Sequence, residues 1–251
     1  MIHPDYRLIV AANRDEFYNR PTAALDYWPD HSDVLAGRDL RANGTWLGVT
    51  RTGRLAAITN FREPEICLKN APSRGLLIRD FLTGNSSPKH YLDTVSKTSH
   101  TYNGFNLIAG DPSGLYYYSN RDGRPQQLQA GLYGISNHLL DTAWPKIQRG
   151  KDLLRGQLTG RENIDTEKIW EILADRSQPI DEELPDTGVG LQWERILSPL
   201  FISSADYGTR SSSIVLMHYS ERLTFMERTF EKGVAGIRTG KTLSYSFNIG
   251  S

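Results

Sequence analysis

The chain has 251 residues, of which 38% are apolar and 10% aromatic, enough for a substantial core and far from a disordered composition. Lys plus Arg equals Asp plus Glu at 29 each, which argues against a basic nucleic-acid surface and against strong attraction to anionic membranes. No apolar run approaches the ~18–20 residues of a membrane span, and no basic region followed by an apolar one marks a secretory leader.

In chain order, short apolar strands are expected first, over Arg7–Ala12, Thr45–Thr50 and Leu55–Phe61, the last two joined by the turn signal "RTGR". The apolar period then lengthens. "SRGLLIRDFL" (Ser73–Leu82) and "PKHYLDTVSKT" (Pro88–Thr98) space their apolar residues by three and four and open on Ser or Pro, so two helices are expected. Strands return over Phe105–Ala109, Leu115–Ser119, Gln126–Ala130 and Leu132–Ser136, separated by Asp-Pro-Ser-Gly and Arg-Asp-Gly. Two further helical stretches follow, "DTAWPKIQRGKDLLRGQLTG" and the acid-capped "DTEKIWEILADRS". "QPIDEELPDTGVG" carries the weakest pattern, and the last strands are Ser213–His218, Leu223–Arg228 and Leu243–Asn248. Helix pairs set between runs of hairpin-type strands predict mostly antiparallel sheets covered by helices, not a βαβ wind. No linker or repeat divides the chain, so residues 1–251 are read as a single domain.

The inventory of reactive groups is short. One cysteine, Cys67, excludes an intramolecular disulfide framework and fits a reducing, cytoplasmic setting. The six histidines form no H-x-x-x-H pair and there is no C-x-x-C, so no metal is expected. "GVG" (Gly188–Gly190) lacks the third glycine and the strand of a dinucleotide fingerprint, and no cofactor is expected.

Polar residues gather at predicted strand ends. "LIVAANRDEF" loads Asn13, Arg14, Asp15 and Glu16 onto an apolar strand. Alternation puts Asn13 and Asp15 on one face, Arg14 and Glu16 on the other. The bland reading is a strand-end ion-pair knot with Arg20, Arg38 or another partner. Three other strands repeat the pattern: "LAAITNFRE" ends at Asn60, "LYGISNHLLDTAWP" at Asn137, and Arg210 directly precedes the strand in "DYGTRSSSIVLM". Each alone fits a turn, a cap or a solvated charge. Together they resemble what an oxyanion hole and a nucleophile-orienting pair require. The nucleophile is missing. Ser136, Ser211, Ser212 and Ser213 lack a G-x-S-x-G elbow, and Cys67 sits in a loop-like stretch without an evident base.

In order along the chain, "LIVAANRDEFYNRPT", "LAGRDLRANGTWLGVTRTGRLAAITNFREP", "SRGLLIRDFL", "YNGFNLIAGD", "YYYSNR", "GLYGISNHLLDTAWPK" and "YGTRSSSIVLM…LTFMERTF" resemble the NRDE-motif family, that of the transport and Golgi organisation protein 2, over about Tyr6 to Phe247. The resemblance implies an α+β fold of the N-terminal-nucleophile-hydrolase type, a four-layer αββα sandwich of two mostly antiparallel sheets. It further implies chemistry like that of choloylglycine hydrolases and penicillin V acylases, in which an N-terminal Cys attacks an amide. By motif order Arg14 and Asp15 resemble the nucleophile-side pair, Asn60 and Asn137 the oxyanion-side positions, and Arg210 the second arginine. Asn13 or Glu16 can exchange roles with its neighbour. Family members usually begin Met-Cys and a further strand, whereas this chain begins Met1-Ile2-His3-Pro4. The expectation is a start assigned too late, with the first strand and the Cys missing and the chain inactive in cysteine-dependent hydrolysis. An in-frame Met-Cys codon pair just upstream checks it, and a stop codon there refutes it.

Two functional readings follow from the resemblance. One is hydrolysis of an amide or acyl thioester. The other is a non-catalytic protein that binds or traffics haem, lipid or acyl-coenzyme A. The expected partner is a small apolar or acyl-type ligand or haem, not nucleic acid and not an integral membrane segment. Among histidines only His138, beside Asn137, is worth testing against haem. The aromatic stretches "GTWLG", "LYYYSN" and "LQWER" suit an apolar pocket or simply a core. The expected geometry is convergence of Arg14, Asp15, Asn60, Asn137 and Arg210 on one hollow between stacked sheets.

Overall fold

A computed structural model describes residues 3–159, 163–233 and 236–250. It is an α+β protein of two antiparallel sheets and few helices, as the block order predicts. The strands are β1 (Tyr6–Phe17), β2 (Thr22–Trp28), β3 (His31–Asp39), β4 (Leu47–Thr50), β5 (Leu55–Asn60), β6 (Phe105–Asp111), β7 (Gly114–Ser119), β8 (Gln126–Leu128), β9 (Tyr207–His218), β10 (Arg222–Gly233) and β11 (Gly236–Asn248). The helices are α1 (Gly75–Thr83), α2 (Pro88–Thr98), α3 (Pro145–Leu158), α4 (Thr166–Leu173) and α5 (Leu191–Leu197). The chain forms two compact units, each assembled from segments separated in sequence.

One unit is built on the four-stranded sheet β1-β9-β10-β11. Ile9 and Ala11 of β1 and Ile214 and Leu216 of β9 pack against Ile169, Trp170 and Leu173 of α4. That helix starts because Asp165 caps it, accepting from the amides of Glu167 (3.0 Å) and Lys168 (3.3 Å) and satisfying donors a helix start leaves open. The opposite face of the same sheet is also buried, though it carries polar groups. Register places Arg14, Ser211, Ser213 and Glu227 there, at 9, 4, 2 and 1% exposure.

The other unit is a seven-stranded meander, β2 to β8, in which every neighbour is the next strand in the chain. The helices α1 and α2 fall between β5 and β6 and cover one face through Leu77, Ile78, Phe81, Leu92 and Val95, against Leu107, Phe105 and Tyr118. Burying a side chain such as Phe81 contributes roughly 2–3 kcal/mol. Ser87 caps α2, with Pro88 at its first turn, where the missing N–H costs nothing. Gly44 and Gly75 let the β3–β4 connection touch the start of α1, with the Thr45 amide donating to the Gly75 carbonyl at 3.2 Å.

Three expectations need correction. The first strand does not stop at Ala12 but runs to Phe17, so the Asn-Arg-Asp-Glu tetrad lies inside a ladder with β9. No strand forms over 132–136, where the backbone is irregular with a bend at Ser136, whose carbonyl accepts from the Thr59 side chain. The helix expected from Asp141 begins at Pro145, because Asp141 adopts a left-handed φ of 57°. Two strands, β2 and β3, and the helix α5 were not expected at all.

Candidate functional site

The tetrad owes its arrangement to β9. Asn13 faces Ser212 and Arg14 faces Ser211, but Asp15 faces Thr209, so Arg210 is the extra residue of a β-bulge. Bulges bend a strand and re-aim side chains, here at the point where the acidic and basic residues concentrate.

Three members of the tetrad have distinct partners. The Asn13 amide donates to the carbonyls of Leu173 and Leu200, both at 2.8 Å, and its oxygen accepts from Ser212 Oγ at 2.5 Å. Leu173 ends α4, so Asn13 satisfies a carbonyl that the helix terminus leaves open. Asp15 Oδ1 accepts from Thr209 Oγ1 at 2.7 Å, and that hydroxyl in turn accepts from the Ile202 amide at 2.9 Å. Because the amide can only donate, the Thr209 proton is committed to Asp15, which fixes the carboxylate. Glu16 pairs with Arg20 at 3.6 Å, the ion pair that residue types alone suggested. Arg38, the other partner considered, instead forks onto Asp30 with two 2.7 Å bonds and holds that carboxyl low, at about 2.

Arg210 Nη1 gathers three carbonyls, those of Phe17 and Tyr18 at 3.0 Å and Arg20 at 3.2 Å. The guanidinium thereby ties down the turn after β1. Burial pushes the nearby Tyr18 phenol above its ordinary value. On the face opposite α4, Ser211 Oγ is buried without a hydrogen-bond partner among the described residues.

Asn60 and Asn137 meet in the meander unit. Asn137 Nδ2 donates to the Asn60 carbonyl at 3.1 Å, its own carbonyl accepts from the Arg62 amide at 2.7 Å, and its Oδ1 accepts from Arg62 Nη2 at 3.3 Å. The Asn60 side chain is exposed. Beside them the His138 ring packs on Phe61, with centroids 4.8 Å apart. His138 Nδ1 lies 2.9 Å from Thr142 Oγ1, whose proton goes to the Leu139 carbonyl at 2.8 Å. The hydroxyl must therefore accept from Nδ1–H, which puts the neutral ring's lone pair on Nε2. Burial lowers the His138 pKa.

Of the five residues expected together, Arg14, Asp15 and Arg210 share the end of β1 and β9, and Asn60 and Asn137 share the end of β5. Cys67 is exposed. No group of His, Cys, Asp and Glu suited to a metal occurs among the described residues, and no helix among them is long and apolar enough to cross a membrane. Thr209 and Glu227 are buried polar residues that the sequence pattern does not single out as site candidates. Glu227 is visible only as a break in alternation: Leu223, Phe225, Glu227 puts an acid where the pattern calls for an apolar residue.

The chain is thus an α+β protein whose helix-backed antiparallel sheets carry a polar tetrad inside a bulged ladder. The sequence profile described as Transport and Golgi organisation 2 matches residues 1–232. The Transport and Golgi organization protein 2 homolog of Bos taurus is 42% identical over 241 residues, covering 89% of this chain and 87% of that one. The Homo sapiens homolog is 38% identical over 240 residues, with the same coverage. The chain belongs to the Transport and Golgi organisation 2 family. Among solved structures it is similar to a Caenorhabditis elegans N-acylethanolamine-hydrolyzing acid amidase ortholog, at 14% identity, a TM-score of 0.46 and coverage of 83% of this chain and 91% of that one.

Proposed function

We propose that the protein acts on the carbonyl of an acyl amide or acyl thioester, with Asn60 and Asn137 as donors to the developing oxyanion, and that Arg14 and Asp15 are each required for function. The observation that carries this reading is the pairing of two asparagines at the end of β5. One of Asn137's two amide hydrogens goes to the Asn60 carbonyl, which orients the amide, and the second remains for a ligand oxygen. Donors already held in place stabilise an oxyanion without reorganising during the reaction. The attacking group implied by the family resemblance is an N-terminal Cys. Cys67, exposed in a loop, is not proposed for the role.

The test compares this chain with the same chain preceded by Met-Cys and an apolar strand of about ten residues, the start that the family resemblance implies. Both are incubated with acyl thioesters and acyl amides, and released thiol and amine are measured. Turnover by the extended form, lowered about 10²–10³-fold by Asn137→Ala, supports the reading. Saturable binding of the same compounds by both forms, with every molecule recovered intact, favours a carrier of acyl-type ligands and defeats it.

A further inference from the structure

Asn137 sits in a segment, 135–142, that makes no backbone ladder with the sheet beneath it. Side chains from one face of that sheet take the ladder's place. Thr59 and Asn106 are register partners on β5 and β6. Asn106 also pairs with Ser119 on β7, and Tyr117 lies two residues before Ser119, so all point to the side opposite α1 and α2. Asn106 is 0% and Tyr117 1% exposed. Two polar side chains this deep are costly unless satisfied, and both are.

The bonds form a directed chain. Thr59 Oγ1 donates to the Ser136 carbonyl at 2.6 Å and accepts from Asn106 Nδ2 at 3.0 Å. The second hydrogen of Asn106 Nδ2 goes to the His138 carbonyl at 3.0 Å. Asn106 Oδ1 accepts from the Tyr117 hydroxyl at 2.8 Å, and that hydroxyl accepts from the Leu140 amide at 3.1 Å. Reversing the Asn106 amide would set its oxygen against the His138 carbonyl and against a threonine oxygen whose proton is already used. Only one orientation fits.

The carbonyls immediately before and after Asn137 are therefore gripped by Thr59 and Asn106. The carbonyl of Asn137 itself is held by the Arg62 amide. With three consecutive carbonyls fixed, the Asn137 side chain keeps little freedom beyond its own rotamer. We propose that Asn106 and Tyr117 are positioning residues for Asn137, setting the backbone from which its amide is presented. The inference rests on Asn137's role in the reading above, but its test does not need turnover.

The experiment is residue-resolved hydrogen exchange on the full chain, with Tyr117→Phe, Asn106→Leu, Thr59→Val and Thr59→Ser. Tyr117→Phe removes the acceptor of the Leu140 amide, whose exchange should speed up about tenfold or more while the amides of β3 keep their rates. The decisive probe is the Arg62 amide, which contacts the Asn137 carbonyl and neither replaced residue. It should also exchange faster in Tyr117→Phe and Asn106→Leu, and the Asn137 side-chain amide resonances should shift. Thr59→Val should behave alike, and Thr59→Ser should restore wild-type rates. Should Asn106→Leu fail to fold, the isosteric Tyr117→Phe decides alone. An Arg62 amide and an Asn137 side chain that stay at wild-type values while the Leu140 amide accelerates would overturn the proposal. Absence of turnover in every form would strike at the function reading and leave this result standing.

Discussion

Replacing Asn13 by Ala separates the first residue of the tetrad from the three that follow. Three hydrogen bonds disappear, two to the carbonyls of Leu173 and Leu200 and one from Ser212. At a net contribution of about 1 kcal/mol each, the expected loss is about 3 kcal/mol. Against a total stability of about 5–15 kcal/mol, that lowers the folded-to-unfolded ratio on the order of a hundredfold. The assay is urea denaturation at 25 °C followed by far-ultraviolet circular dichroism, with the slope checked so that a midpoint shift reads as stability. Asn13→Asp should be worse than Asn13→Ala, because a carboxylate would face two carbonyl oxygens with no hydrogen to offer. Ser212→Ala should cost about 1 kcal/mol, and the double variant should fall short of the sum by about the same amount, since one bond is shared. If Asn13→Ala loses less than about 1 kcal/mol, or Asn13→Asp is no worse, the picture of Asn13 as the cap of α4 is wrong.

Other outcomes can be checked alongside. Arg14→Ala and Asp15→Asn should abolish function in the assay used for turnover, with Arg14→Lys restoring only part, because a point charge cannot replace a planar fork; wild-type behaviour in all three would make the pair structural. His138 has a folded pKa below its ordinary value of 6.5, so between the two values the unfolded chain binds more protons. Its contribution to stability is complete above about pH 6.5 and is lost as pH falls below it, and His138→Gln should flatten that slope in urea midpoints taken from pH 7 to 5.5. Gly44→Ala places a methyl group against the backbone of Gly75 and Leu76, neither of which can swing aside, and should cost about 1–3 kcal/mol by thermal or urea unfolding. A neutral result would mean the β3–β4 connection is looser than described.

Where local chemistry decides an element, the sequence showed it. The Ser87-Pro88 start and three-to-four spacing delimit α2 at the observed Pro88–Thr98, and "RTGR" does turn β4 into β5, with Gly53 at a φ of +80°. Where partners decide, it did not. β2 and β3 carry Asp26, Asp33 and Arg38 among their apolar residues, and pairing with each other and of β3 with β4 makes them strands. The tetrad looked like a strand end because its side chains are polar, yet its backbone continues the ladder with β9, which no side chain reports. Leu132–Ser136 reads as a strand, but the carbonyls of Ser136, Asn137 and His138 are taken by Thr59, the Arg62 amide and Asn106. Such long-range bonds leave no periodic trace. Asn60, Asn137, Arg14, Asp15 and Arg210 stand out as polar groups beside apolar runs. Thr209, which holds Asp15, does not, because a threonine is an ordinary strand residue and its bond to Asp15 leaves no mark in the sequence.

Arg210 is the one residue of β9 that the ladder does not need. Deleting a residue from a two-faced strand ordinarily turns every later side chain inside out. Excising Arg210 instead would leave Thr209 opposite Asp15 and Ser211 opposite Arg14, a seamless antiparallel pair. What would vanish is the bulge, together with the anchorage of the turn from Phe17 to Arg20. Removal at this position would therefore change the rim of the sheet while its weave stays whole.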